Sequence, residues 1–168
     1  MNYRLVENFL PPRDHQKIQD FFLKDPDGRG MRWAYNLNVA KEGDNETFLF
    51  ANKLWPPPYD FQPEYFLTLI PILYYSNISN IIRIKANCYV KQPIKIKTGI
   101  HTDFDIPHKV LLYSINTNNG STILDPEGEN IEIPSKANQA LFFEGNIPHQ
   151  AITQTDMNLR INLNICYN

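Results

Sequence analysis

His101-Thr102-Asp103 sets an imidazole and a carboxylate two residues apart. Side chains at i and i+2 leave the same face of an extended strand, so a strand over Ile100 to Phe104 would aim both groups one way. A second imidazole, His149, opens a later strand after the turn from Glu144 to Pro148. Two nitrogens and one carboxylate oxygen on one side of a divalent ion leave its other side open, whereas structural metal sites are normally closed. Arg160 follows in Arg160-Ile161-Asn162-Leu163-Asn164-Ile165, where polar and apolar residues alternate. Leu159, Ile161, Leu163 and Ile165 then share one strand face, and Arg160, Asn162 and Asn164 the other. If the polar face lines an interior, the guanidinium needs an anionic partner, and its planar fork suits a carboxylate.

An earlier run repeats the pattern. Arg83, Lys85, Asn87 and Tyr89 share one face, and Ile82, Ile84, Ala86 and Cys88 the other. For Arg83 and Lys85 two readings stand: a solvated edge strand, or the wall of a site for an anionic small molecule.

These residues need strands to carry them. From Ile81 onward, short runs rich in Ile, Val, Tyr and Leu alternate with turn clusters such as Asn118-Asn119-Gly120 and Asp125-Pro126-Glu127-Gly128. Strands are predicted at Ile81–Val90, Ile100–Phe104, Lys109–Asn116, Thr122–Leu124, Asn130–Ile133, Ala140–Phe143, His149–Thr153 and Arg160–Tyr167. That number suits a jelly roll, a cupin-like double-stranded β-helix. Before Ile81 the spacing predicts helices over Pro11–Lys24 and Pro63–Tyr74, extended runs over Met31–Val39 and Glu46–Phe50, and a rigid break at Pro56-Pro57-Pro58. The expected architecture is mainly β with supporting helices: one domain over residues 1–168, with 1–80 buttressing a jelly-roll core at 81–168.

Composition narrows the classes further. A net charge of −2 over 168 residues supplies no global basic field for nucleic acid. The apolar run from Tyr65 to Tyr75 is too short to span a bilayer and is interrupted by Thr68 and Pro71. Cys88 and Cys166 lack CxxC spacing and read as buried free thiols in a reducing, cytoplasmic compartment. His108 reads as a loop histidine, His15 as a helix-surface one and Asp105 as a loop cap. Trp33, Tyr35 and Leu54-Trp55 read as packing residues.

The order His101-Thr102-Asp103, His149, Arg160 resembles the 2-oxoglutarate/iron(II) dioxygenase superfamily, and within it the prolyl-hydroxylase-like branch. Cys88-Tyr89, Leu112-Tyr113-Ser114-Ile115-Asn116 and Asn119-Gly120-Ser121-Thr122 also resemble it, so the likeness covers Ile81 to Tyr167. The resemblance implies iron(II) on His101, Asp103 and His149, the distal carboxylate of 2-oxoglutarate on Arg160, and Tyr89 bonded to that cosubstrate. Dioxygen would be the second cosubstrate, and hydroxylation of a C–H bond, with loss of succinate and CO2, the reaction. The branch often has a tyrosine where this chain has Ser114. Ser114 could reach the carboxylate through water, Tyr113 could turn inward, or Arg160 and Asn164 could act without either. The prime substrate stays open among peptide, amino acid, metabolite and nucleobase. Two other classes fit the same residues: a cupin-type zinc or other divalent-metal hydrolase or isomerase, and a non-catalytic jelly-roll binding module.

Overall fold

The structure, a computed structural model, describes residues 3–24, 31–37, 48–56 and 63–168. The strands are β1 (Tyr3–Val6), β2 (Ala34–Asn36), β3 (Leu49–Trp55), β4 (Ile81–Val90), β5 (Lys109–Ser114), β6 (Ser121–Leu124), β7 (Ile131–Pro134), β8 (Gln139–Glu144), β9 (His149–Ile152) and β10 (Leu159–Tyr167). A seven-stranded sheet has the order β1-β8-β5-β10-β4-β3-β2 and a three-stranded sheet the order β7-β6-β9. Both are antiparallel. Val110, Leu141, Phe143 and Cys166 of the large sheet pack on Leu124 and Ile133 of the small one, which closes the double-stranded β-helix.

The alternation in β10 does what its sequence requires. Ile161, Leu163 and Ile165 are buried on the outer face of the large sheet, among Ile18 and Phe22 of helix α1 (Pro12–Leu23). Each such aliphatic side chain contributes roughly 2 kcal/mol by leaving water. Arg160, Asn162 and Asn164 therefore face between the sheets. The same helix side takes Tyr113, whose hydroxyl donates to Asn138 Oδ1 at 3.0 Å and lies 2.6 Å from His15 Nδ1. Tyr113 does not turn inward, and His15 is a packed polar contact rather than a surface group.

Several expectations need correction. The predicted helix over Pro63–Tyr74 is two helices, α2 (Pro63–Leu67) and α3 (Ile70–Ser76). Pro71 has no N–H, and its ring would clash with the carbonyl of Leu67 in a continuous helix. The predicted strand over Ile100–Phe104 reduces to one bridge, His101 to His149. The backbone leaves pairing after His101 and reaches Pro107, which cannot donate to a ladder. β4 lies between β10 and β3 and is not an edge strand; Lys85 is paired on both sides, Arg83 with β10. Val39, Glu46, Pro57 and Pro58 lie outside the described residues. β1 was not anticipated; it is a four-residue edge strand with an irregular burial pattern. Cys88 and Cys166 are both free and buried, as expected.

Candidate active site

The bridge between His101 and His149 is a reciprocal pair: His101 N–H donates to His149 O at 3.0 Å and His149 N–H to His101 O at 2.8 Å. In an antiparallel pair this sets the two residues directly opposite with their side chains on one face. Each imidazole is also fixed by its own local backbone. His101 Nδ1 lies 3.1 Å from Gly99 O, and His149 Nδ1 lies 3.2 Å from Ile147 O. With Nδ1–H donated to a carbonyl, the Nε2 lone pair is the free one, as is usual for a metal-binding histidine whose other nitrogen is held by the backbone.

Asp103 completes the group. One donor atom from each of His101, Asp103 and His149 lies within 4.8 Å of the others, and Asp103 Oδ2 is 3.7 Å from His149 Nε2. Burial pushes His149 down to about 4 and lowers His101 as well, so both rings are neutral near neutral pH. Burial alone would raise Asp103. His149, Arg83 and the hydrogen bond from Asn164 outweigh it and hold the carboxyl well below the usual carboxylate range. Two neutral imidazoles beside one carboxylate are the protonation states that a divalent cation needs.

Arg83 and Asn164 hold that carboxylate. Arg83 Nη2 donates to Asp103 Oδ1 and, at 2.9 Å, to Asn164 Oδ1, while Asn164 Nδ2 donates to Asp103 Oδ2 at 3.0 Å. A second grouping, Asp103 with His108 and Cys166, is also compact. Arg83 Nη2 reaches Cys166 Sγ at 3.5 Å as well, so a guanidinium already serves that cluster. His108 is buried, its ring packed against Gly145 and its Nδ1 2.7 Å from Ile106 O. Asp105 is exposed on the loop.

Arg160 lies in the same cavity, 2 % exposed. Its Nε donates to Ser135 Oγ at 2.9 Å, Nη1 to Ile152 O at 3.1 Å and Nη2 to Thr122 Oγ1 at 3.1 Å. Its guanidinium carbon sits 5.1 Å from the Tyr89 ring centroid. Every partner is neutral, and no salt bridge among the described residues reaches Arg160. A buried cation without a counter-charge is costly, and its unused N–H bonds call for an anion.

The cavity between these groups is lined by Lys85, Asn87, Tyr89, Leu112, Asn162 and Gln150, among others. Its enclosed part holds about 40 Å³, room for a few waters, so a larger ligand must turn flexible side chains aside. Asn87 Oδ1 is buried there without a hydrogen-bond partner. Leu112, not Ser114, lines this cavity from β5. Thr122, quoted in the sequence only as part of a family-like segment, and Ser135, which nothing in the sequence singled out, are the hydroxyls on Arg160. Trp33 and Trp55 pack against the outer core, as expected.

Comparison with solved structures supplies the remaining observation. The chain superposes over 99 % of its length on 85 % of an oxidoreductase of the 2OG-Fe(II) oxygenase family from Burkholderia pseudomallei, with TM-score 0.71 and 12 % identity. The fold is that of the 2-oxoglutarate/iron(II) oxygenases. A Trichoplax adhaerens prolyl hydroxylase in complex with a hypoxia-inducible-factor peptide matches 99 % of the chain over 83 % of its own, with TM-score 0.67 and 14 % identity. The epimerase SnoN, in complex with Fe3+, α-ketoglutarate and nogalamycin RO, matches 99 % of the chain over 78 % of its own, with TM-score 0.64 and 9 % identity. No family profile and no curated protein matches the sequence. Among the described residues no helix is long and apolar enough to cross a membrane.

Proposed function

We propose that the chain is a 2-oxoglutarate- and iron(II)-dependent oxygenase that hydroxylates a C–H bond of a peptidyl or small-molecule substrate. The observation that carries this reading is Arg160, a buried guanidinium with only neutral partners, in one cavity with the donors of His101, Asp103 and His149. Bound iron, 2-oxoglutarate and dioxygen would supply the oxidising power for hydroxylation, with succinate and CO2 as co-products. His101 and His149 would hold the metal through Nε2, and Asp103 through Oδ2. Arg83 and Asn164 would keep the carboxylate from rotating. Arg160 would take the distal carboxylate of the diacid, with Thr122 and Tyr89 beside it; this gives the part sought for Ser114 to Thr122 and moves Asn164 to the metal end. Leu49, Leu112 and Ala151 would keep bulk water from the cavity.

Residues 1–80 would act as the buttress and 81–168 as the catalytic core of one domain. The two buried free thiols suit a reducing compartment such as the cytoplasm. A metal hydrolase would give Arg160 no role. The test is anaerobic: iron(II) and 2-oxoglutarate together should give the weak visible charge-transfer band of the chelate, and aerobic turnover should release succinate. A folded, iron-loaded sample without that band overturns the reading.

A further inference from the structure

On the cavity side of the large sheet, Lys85 of β4 is paired in register with Lys53 of β3. Residues directly opposite on antiparallel strands share a face, with Cβ atoms about 5 Å apart, and like charges so placed destabilise the sheet. Leu49 and Ala51, at the same parity on β3 as Lys53, pack with Tyr89 and Ala151 on that face. Lys85 lines the cavity beside His101 and Asp103; Lys53, its partner in register, is exposed. The pair thus joins a residue that lines the cavity to one that is open to solvent.

Neither lysine has an ion pair or hydrogen bond among the described residues. The carboxylate nearest to hand, Asp103, is committed to Arg83 and Asn164. If a divalent ion and a diacid occupy the site, their charges cancel, as do those of Arg83 and Asp103. Arg160, Lys85 and Lys53 then remain as net positive charge around the cavity. The diacid has Arg160 for one end and the metal for the other. Lys53 stands two strands from β10, which carries Arg160, and is placed for a different ligand.

We infer that Lys53 and Lys85 together form a clamp for an oxyanion, a carboxylate or phosphate, carried by the prime substrate. The clamp rests on the oxygenase reading and deepens it: the substrate enters with its anionic group on the two lysines and presents a neighbouring C–H bond to the metal side of the cavity. A neutral substrate would leave Lys85, in the cavity, with no anionic group of the substrate beside it. Hydroxylation does not alter the anion, so it serves as a handle throughout turnover.

The test uses the full chain, anaerobic, with iron(II) and 2-oxoglutarate. N-acetyl amino acids are titrated against their neutral amides, and phenyl phosphate against phenol, through their perturbation of the chelate band. The anionic member of at least one pair should bind about tenfold more tightly, as expected for a hydrogen-bonded charge, and Lys53→Gln and Lys85→Gln should each remove that preference. The affinity for 2-oxoglutarate should stay within about twofold in Lys53→Gln. Lys53 is exposed, so Lys53→Gln decides the matter even if Lys85→Gln fails to fold. Equal binding of acids and neutral partners overturns the clamp. So does a matching loss of 2-oxoglutarate affinity, which would make the lysines cosubstrate contacts, or displacement of 2-oxoglutarate by the anions. Absence of the band in wild type is a failure of the oxygenase reading instead. Calorimetry of the same pairs on metal-free protein, wild type against Lys53→Gln, then still accepts or rejects the lysine site.

Discussion

Arg83 Nη2 donates to Oδ1 of Asp103 and leaves Oδ2 as the oxygen facing His149 Nε2, 3.7 Å away. The guanidinium thus decides which carboxylate oxygen is offered to a metal. Arg83→Met should weaken manganese(II) binding by about ten- to a hundredfold, the usual cost of removing a ligand's outer-shell partner. Calorimetric titration checks this, with circular dichroism to show that the fold persists. Unchanged affinity would mean that Asn164 alone holds the carboxylate.

Arg160→Met should separate ligand affinity from stability. The substitution removes a buried cation that has no counter-charge, so the ligand-free melting temperature should change by only a few degrees or rise. The stabilisation that wild type gains from saturating 2-oxoglutarate with manganese(II), about 3 kcal/mol at a hundred times Kd, should vanish. Differential scanning calorimetry reads both quantities. A large ligand-free loss would instead make Arg160 a structural residue.

The pH dependence follows from His149. Its pKa is pushed from 6.5 to about 4 in the fold, chiefly by burial. The unfolded chain therefore binds the proton first, and the contribution of the neutral ring is complete above about pH 6.5 and lost as pH falls through the folded value. The loss is on the order of 3 kcal/mol. Asp103, also lowered, adds a loss in the same direction at still lower pH. Metal-free protein should lose melting temperature steadily from pH 7 to pH 4, and His149→Gln should flatten that slope. Manganese(II) affinity should begin to fall at a lower pH than ordinary histidines would give, because burial lowers both His101 and His149.

Gly120 controls the arm of Arg160. A Cβ there would lie 2.8 Å from Ile152 O, 2.9 Å from Asn118 Oδ1 and 3.1 Å from Arg160 Cδ. Backbone or the arginine must then shift. Gly120→Ala should fold yet bind 2-oxoglutarate about ten- to a hundredfold more weakly, measured from the chelate band. Wild-type affinity in this variant would show that Arg160 does not set the cosubstrate position.

Legibility followed periodicity. β4 and β10 carry strict alternation, and the sequence placed both strands and the correct inward faces. His101, Asp103, His149 and Arg160 converge as their types and order suggested. The route was different for the first two, because His101 sits on a lone bridge and Asp103 on the loop beyond it, held by Arg83 rather than by strand geometry. Arg83 itself stayed ambiguous in the sequence, since nothing local shows whether a strand is central or at an edge. The roles of Thr122 and Ser135 were not legible because a hydroxyl on a short strand or turn looks the same whether it meets water or a guanidinium. The break before α3 was written in Pro71, but an apolar spacing that continues on both sides masked it.

β10 is hydrogen-bonded to a neighbour along both edges, β4 and β5, over most of its length. A single-residue insertion within Leu159–Tyr167 would exchange the two faces downstream of it. Placed just before Leu159, it would put Leu159 where the guanidinium now stands and drive Arg160 into the aliphatic layer beneath α1. The chain is free to drift in the spans of its connecting loops, but the frame of this one strand is not negotiable.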